Sequence, residues 1–266
     1  MKQAFSLVEL SIVLVILGLL TGGILAGQSL IRAAELRSVT VDFNKYVTAA
    51  RSFRDKYFAY PGDMTNAQSF WGTAAACPGD NTTVTTAGVA TCNGDGNGQI
   101  TGSAGTSNEY YRFWQHLANA AMVEGSYTGV ANSATGTALA DSTATPNVPK
   151  SRINSAMWSV RYLGPQAITS TYAFDGNFDN VLLFATGISG QGSALKPEEA
   201  WNIDTKLDDG KPGTGIVQSL KNSTQANATT GCSDTAYTTT ASIAASSSYL
   251  LSNSTIACSL VFKTGF

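Results

Sequence analysis

The first sixty residues carry two different patterns of apolar positions. Residues 5–27, FSLVELSIVLVILGLLTGGILAG, are almost all apolar or small. An α-helix needs about 20 apolar residues to cross the hydrocarbon of a bilayer. This run is therefore predicted to be a transmembrane helix.

Beyond this run, the pattern becomes that of an amphipathic helix. Apolar residues recur at alternating steps of four and three, which places them on one helical face, while charged residues fill the other faces. Pro61 and Gly62 end the pattern. One helix is predicted over residues 5–58, and its amphipathic half, within residues 28–60, is expected to pack under a sheet. The apolar positions are Val39, Phe43, Tyr46, Ala50, Phe53 and Tyr57.

Residues 61–266 are predicted to form a globular domain with long loops. Ser, Thr, Gly, Ala and Asn crowd positions 73–145 and 221–257, which therefore lack the apolar residues of a core. Residues 109–123 have a helical pattern, and four runs rich in β-branched and aromatic residues indicate strands. The predicted fold class is α+β. The predicted strands are residues 158–163, 171–174, 180–185 and 260–263.

Composition narrows the classes of function. The net charge is -2 and only 13% of the residues are charged, so no nucleic-acid partner is predicted, since that would require clustered Lys and Arg. The sequence contains no HExxH, P-loop or GxSxG motif, and His116 is its single histidine. No enzymatic activity is predicted, and His116 is interpreted as a surface or packing residue.

Four cysteines form two local pairs along the chain, without the CxxC spacing of a zinc or redox site. Four cysteines allow three disulfide connectivities. We favour Cys77–Cys92 and Cys232–Cys258, which implies an oxidising compartment.

Glu9 is the anomaly of the apolar run. A carboxylate at membrane depth costs on the order of 3 kcal/mol, so it usually marks function and has a cationic partner. If the chain were cut between Ala4 and Phe5, the new α-amino group of Phe5 would lie about one helical turn from Glu9. In an assembly, the α-amino group of a neighbouring subunit could equally be the cationic partner of Glu9.

The N-terminal segment MKQA-FSLVEL resembles the processing signal of type IV pilins and type II secretion pseudopilins. The shared features are a short basic leader, a small residue before the cut, Phe as first mature residue and Glu as the fifth. The resemblance implies that residues 1–4 are a leader, that a prepilin peptidase cleaves between Ala4 and Phe5, and that it methylates the amine of Phe5. Glu9 would set the register during assembly. Most members of the family have Gly where this chain has Ala4.

This resemblance implies an antiparallel sheet of about four strands laid on the helix, and a structural subunit of a pilus (fimbrium) or secretion pseudopilus. The protein would first be a single-pass inner-membrane protein with a cytoplasmic N-terminus, and later part of a periplasmic or extracellular filament. Its partners would be other copies, related pilins or pseudopilins, and the inner-membrane assembly platform. The alternative is a minor, tip-located pilin that acts as a calcium-stabilised adhesin or binding module.

Residues 93–100, NGDGNGQI, carry the strongest metal pattern. Oxygen-bearing side chains alternate before a glycine and an aliphatic residue, as in the first half of a calcium loop. The twelfth position is Ala104 instead of the usual Glu, although Glu109 could reach back. A turn cluster without an ion explains the pattern equally well. The candidate calcium ligands are Asn93, Asp95, Asn97, Gln99 and Glu109.

Two further acidic sets give weaker metal signals, because turns commonly use the same residue types. They are Asp175, Asn177 and Asp179, and Asp204, Asp208 and Asp209.

Overall fold

The computed structural model describes most of the chain in helices, strands and the turns between them. The described residues are 7–74, 77, 88–103, 107–130, 147–153, 156–166, 174–186, 192–220, 231–234 and 247–266. The helices are α1 (Leu7–Tyr57), α2 (Ala67–Trp71), α3 (Glu109–Asn119) and α4 (Pro197–Leu207). The strands are β1 (Gly102–Ser103), β2 (Ser107–Asn108), β3 (Met157–Tyr162), β4 (Pro165–Gln166), β5 (Gly176–Asn177), β6 (Asn180–Ala185), β7 (Val217–Ser219) and β8 (Leu260–Lys263).

Helix α1 is one continuous element of 51 residues, which confirms the predicted long N-terminal helix. At 1.5 Å per residue it is about 77 Å long. Its buried residues begin only at Val39 and form the predicted apolar stripe. The helix ends where Phe58 adopts a left-handed φ of 55° and donates its N–H to the Arg54 carbonyl at 2.8 Å.

The main sheet has four antiparallel strands in the order β3-β6-β8-β7, so the α+β class is confirmed. Three of these strands fall where the sequence predicts them. The fourth, β7, was not predicted because its sequence VQS has neither the length nor the apolar character of a strand signal. Most of the predicted strand at residues 171–174 lies outside the described residues.

The second half of α1 packs on one face of this sheet through aromatic contacts. The Phe43 ring lies 4.9 Å from the Phe262 ring of β8. Tyr46 meets Trp114 of α3 at 4.9 Å and Trp158 of β3 at 5.7 Å, in both cases edge to face. Such aromatic pairs add about 0.5–1.5 kcal/mol each beyond the area they bury. These rings fix α1, α3 and the sheet as one core.

Helix α3 is shorter than the predicted residues 109–123 and ends at Asn119. Ala121 adopts a φ of 56° and its N–H bonds the Ala118 carbonyl at 2.9 Å, while the Met122 N–H bonds the Leu117 carbonyl at 2.9 Å. These two bonds form the helix-ending motif that a glycine usually makes. An alanine does so here, so the sequence carries no stop signal.

Helix α4 was not predicted, and it joins the sheet domain to α1. The Arg32 guanidinium donates to both Glu199 oxygens, at 2.5 Å and 2.7 Å, and to Glu35 at 3.0 Å. Burial raises the pKa of Glu199, but the hydrogen bonds from Arg32 and the Lys196 N–H outweigh it and lower the pKa below its ordinary value. The pair therefore holds α1 to α4 one to two turns before the buried stripe begins.

Two disulfides close loops of the globular domain. Cys77 pairs with Cys92 and Cys232 with Cys258, which are the pairs that the sequence favoured. Cys232 and Cys258 are fully buried in the main core. Disulfides of this kind stabilise a fold by about 2–4 kcal/mol, in large part by restricting the unfolded chain.

Candidate functional site

The first half of α1 presents its apolar side chains to the outside. None of the α1 residues from 7 to 38 is buried. The large apolar side chains from Leu7 to Ile31 are all more than half exposed, whereas Leu36 is partly buried against the core. Its most apolar window has a mean hydropathy of 2.4. By length and composition this helix could cross a membrane, and a signal sequence has the same properties.

Glu9 lies in the first turn of α1 as described, on the exposed apolar half. Ala4 and Phe5, the predicted processing residues, lie outside the described residues. The contact expected between Glu9 and the Phe5 amine is therefore a prediction of the sequence alone.

The loop of residues 93–99 folds against the turn that follows α1. Asp63, a residue that sequence reasoning missed, points into this loop. Its Oδ1 accepts hydrogen bonds from the backbone N–H groups of Gly96 at 2.7 Å and Asn97 at 3.0 Å, and its Oδ2 accepts one from Gly98 at 2.9 Å. Gly94 lies so close to the backbone of Asp63 that a side chain there would collide with it. The carboxylate of Asp63 therefore organises the turn.

Glu109 at the start of α3 approaches the same loop from the other side. Its Oε1 accepts the Asp95 N–H at 3.1 Å, and its Oε2 accepts the Thr101 N–H at 2.8 Å. The carboxylate oxygens of Asp63, Asp95 and Glu109 come within 4.8 Å of one another. Asp63 and Glu109 are buried and Asp95 is exposed, so this acidic cluster has one open side.

The cluster concentrates negative charge in a poorly hydrated place. Burial raises the pKa of Glu109 to about 7, and the charges of Asp95 and Asp63 act in the same direction against the backbone hydrogen bonds. Burial and the neighbouring Asp95 likewise raise the pKa of Asp63. A divalent cation would offset this cost.

The structure brings together two of the five predicted calcium ligands, Asp95 and Glu109. The Asn93 Oδ1 accepts the Gln68 N–H at 2.9 Å, and the Asn97 Oδ1 accepts the Gln99 N–H at 2.7 Å. Gln99 lines a separate cavity beside Tyr60. The side chains that alternate along the loop are thus used mainly to shape the turn.

The acidic cluster nevertheless fits a hard cation. Calcium is held by about 6–8 oxygens at about 2.3–2.6 Å, so oxygens on opposite sides of one ion lie about 5 Å apart. Three carboxylates within 4.8 Å satisfy this spacing. Asp63, Asp95 and Glu109 would hold the ion, and water would complete its coordination through the open side.

A second acidic cluster lies at the end of α4, where the oxygens of Asp204, Asp208 and Asp209 also come within 4.8 Å of one another. As in the first cluster, where Asp95 accepts from the Asn97 N–H and side-chain amide, each carboxylate here has a protein donor. Asp204 accepts from the Tyr249 hydroxyl at 2.9 Å and the Gly210 N–H at 3.1 Å. Burial raises the pKa of Asp204 to about 7. These bonds give the cluster a structural role in joining α4 to the segments that follow.

His116 was predicted to be a surface or packing residue, and its complete burial leaves the packing role. Its Nδ1 accepts the Gly62 N–H at 3.0 Å, so its Nε2 carries the proton that faces the Thr91 Oγ1, also at 3.0 Å. Thr91 in turn donates to the Gln115 Oε1 at 2.7 Å. Burial lowers the pKa of His116 to about 3, which keeps the ring neutral.

The features above define the class of protein: an α+β domain on a long helix whose exposed apolar half could be a membrane anchor or signal, with acidic clusters able to hold a cation. No protein-family model, curated protein or solved structure matches the chain. The function must therefore be argued from the residues themselves.

Proposed function

We propose that this chain is a structural subunit of a type IV pilus or type II secretion pseudopilus. The observation that carries the proposal is the division of α1. Its first half is apolar and exposed, while its second half is built into the core of the globular domain. A helix of this kind needs lipid around it before assembly and the helices of other subunits afterwards.

The short N-terminal motif supports the same proposal. After cleavage between Ala4 and Phe5 by a prepilin peptidase, the methylated amine of Phe5 would be the first charge of the mature chain. Glu9 would neutralise that charge in its own subunit or in a neighbour, because an unpaired carboxylate in an apolar bundle is costly. The register of one subunit against the next would follow from this pairing.

The proposed course runs from the inner membrane to a filament. Residues 5–27 would span the membrane once with a cytoplasmic N-terminus, and residues 61–266 would fold outside the cytoplasm, where the two disulfides form. The assembly platform of the inner membrane would then insert the chain into a helical filament of identical or related subunits.

The acidic cluster and the long polar segments favour a second candidate function. The chain would then be a minor pilin at the filament tip, and calcium held by Asp63, Asp95 and Glu109 would stiffen the loop beside the end of α1 for adhesion. The abundance of the chain in purified filaments separates the two candidates, because a tip subunit is present in only a few copies.

Substitution of Glu9 tests the proposal in the native cells. Glu9→Ala is expected to abolish filaments while the chain still enters the membrane, because the substitution makes the helix more apolar. Ser11→Ala is the matched control, since Ser11 lies in the same exposed part of the helix and bonds only within it, to the Val8 carbonyl. Filaments are scored by electron microscopy of sheared material, and membrane insertion by fractionation.

Normal filaments from Glu9→Ala would contradict the assembly role of Glu9. Loss of both filaments and membrane insertion would instead indicate that the substitution prevents insertion of the chain.

A further inference from the structure

Two neighbouring cavities lie between the end of α1 and the start of β6, and together they are called the groove. It consists of two cavities of about 310 Å³ and about 460 Å³ that share Tyr60 and Gly98 as lining residues. Both cavities are open to solvent on one side. The smaller cavity borders the acidic cluster, because Asp63 and Gly96 form part of its wall, whereas the larger cavity contains no residue of that cluster.

Two strained residues line this groove. Among the described residues, three that are not glycine have a positive φ, and two of them are Phe58 at 55° and Asp179 at 48°. Phe58 lines one cavity and Asp179 the other. Left-handed backbone is unfavourable for a bulky aromatic residue, and such strain collects at functional sites. Phe58 is also 92% exposed, so burial of its side chain contributes almost nothing to the stability of the fold.

The groove has a rigid floor. The Asn180 Oδ1 accepts the Ile100 N–H at 2.8 Å, and its Nδ2 donates to the carbonyls of Gly98 at 2.9 Å and Phe266 at 3.3 Å. The Tyr60 ring packs 5.8 Å from the Phe266 ring, and its hydroxyl accepts a bond from Arg54 at 3.0 Å. The rings of Tyr60 and Phe266 are therefore held in place before any ligand arrives.

Several polar groups of the groove have no partner within the part of the chain that is described. The Gln99 amide, the Tyr162 hydroxyl and the Asp179 carboxylate line the larger cavity and make no side-chain hydrogen bond there. Together they offer donors and acceptors at three points around the half-buried rings of Tyr60 and Tyr162.

We propose that this groove binds a carbohydrate chain. A sugar ring has one apolar C–H face that packs on an aromatic ring, and a rim of hydroxyl groups that pair with amides and carboxylates. Phe58 and Tyr162 supply the rings, because the Arg54 guanidinium already lies over the Tyr60 ring, 5.2 Å from its centroid. Gln99 and Asp179 supply the polar partners. Two open cavities in a row suit consecutive sugar units of an oligosaccharide better than one enclosed small molecule.

The charges of the groove argue against two other classes of partner. Arg54 is the one cation among its lining residues, and Asp63 and Asp179 are both acidic, so a nucleic acid would be repelled. A second copy of this chain would be expected to cover a broad apolar surface, whereas the larger cavity is mainly polar. The inference does not depend on the proposed filament function.

The test uses the full chain in a zwitterionic detergent without a sugar headgroup, because a glucoside or maltoside would compete. Binding to an array of bacterial and host oligosaccharides identifies a ligand class, and the bound sugars are then titrated by NMR. The variants are Phe58→Gly, Gln99→Ala and Asp179→Asn, the last of which retains the tolerance for left-handed backbone. Phe70→Ala is the control, because Phe70 is an exposed ring, 55% exposed, outside the groove.

We expect each groove variant to weaken the affinity for the bound oligosaccharide by about tenfold or more, while Phe70→Ala leaves it unchanged. Phe58→Gly is also expected to keep or raise the melting temperature, because glycine relieves the backbone strain at this position. If the ring had a purely structural role, the same substitution would lower the melting temperature. The proposal is overturned if no oligosaccharide binds, or if those that bind do so equally well to all the variants. It is also overturned if Phe58→Gly weakens the association between copies of the chain and does not change sugar binding.

Discussion

The two halves of α1 form one unbroken helix in two different surroundings. From residue 39 onward its stripe of apolar side chains is covered by the sheet and by α3, whereas none of the residues from 7 to 38 is buried. The backbone is helical in both halves because helical hydrogen bonds are local. What differs is the surroundings of the side chains. The apolar side chains of the second half pack within the chain, whereas the large apolar side chains from Leu7 to Ile31 are more than half exposed. The buried residues are Val39, Phe43, Tyr46, Val47, Ala49, Ala50 and Phe53.

The most decisive test of this contrast is one large-to-small substitution in each half. Phe53→Ala should lower the free energy of unfolding by about 3–5 kcal/mol, because Phe53 is fully buried against Tyr57 and Trp71. Leu14→Ala should change it by less than about 0.5 kcal/mol. The four tryptophans lie at positions 71, 114, 158 and 201, so their fluorescence in a denaturant titration reports on the globular domain. Equal losses in both variants would contradict the contrast.

A second test concerns α4, which packs beside α1 close to the boundary between the halves. Because the pKa of Asp204 is raised to about 7, the folded protein holds this proton more tightly than the unfolded chain does. The contribution of Asp204 to stability should therefore fall as the pH rises from about 4 to about 7, by on the order of 2–4 kcal/mol.

Asp204→Asn isolates this contribution of Asp204. Glu109 acts on stability in the same direction with pH, and buried His116 in the opposite direction, so the informative quantity is the difference between wild type and variant. In thermal unfolding at pH 4.5, 6 and 7.5, the melting temperature of the variant should increase relative to that of the wild type as the pH rises. Parallel curves would show that Asp204 titrates normally in the folded protein.

A smaller effect is expected at the boundary itself. Arg32→Ala should lower the free energy of unfolding by about 1–2 kcal/mol, because it leaves the largely buried Glu199 carboxylate without its bidentate donor. Lys45→Ala is the matched control, because its pair with Glu124 spans 3.9 Å and the Glu124 side chain is 95% exposed. Hydrogen exchange should quicken in residues 28–38 of the Arg32 variant only. Unchanged exchange there would mean that α4 does not hold this part of α1.

The smallest expected effect is that of calcium on the turn after α1. Calcium chloride at several times the dissociation constant should stabilise the domain by about 1 kcal/mol. Glu109→Gln should remove this gain, whereas Glu124→Gln should retain it, because Glu124 lies outside the acidic cluster. The melting temperature with calcium and with a chelator is the measurement, and an unchanged value for the wild type would exclude a calcium site there.

Sequence reasoning found the elements whose signal is long or strongly apolar. The stripe of α1 extends over five turns, and β6 carries the continuous apolar run VLLFA after Asn180 and is buried throughout. It missed β7, whose three residues owe their strand conformation to pairing with β8, and it extended α3 past Asn119 because an alanine ends that helix. Local patterns cannot report structure that distant partners impose.

In the candidate sites, too, the sequence indicated the residues of a local pattern and missed those that come from distant segments. The alternation of residues 93–99 led to Asp95 and Glu109, but it could not find Asp63, which lies in the turn after α1 about thirty positions earlier. The groove lined by Phe58 and Asp179 joins segments more than a hundred residues apart. No sequence pattern marks it, since its strain and its free polar groups become visible only in three dimensions.

The central claim is that the exposed half of α1 packs into a filament after processing. Its most direct test is the intact mass and N-terminal sequence of the protein in sheared surface filaments from its native cells, with and without reduction. The account predicts an abundant chain that begins at methylated Phe5 and carries two disulfides. A chain that begins at Met1 or near Gly27 and is missing from the filaments would contradict it, and α1 would then be a plain signal anchor or a secretory signal.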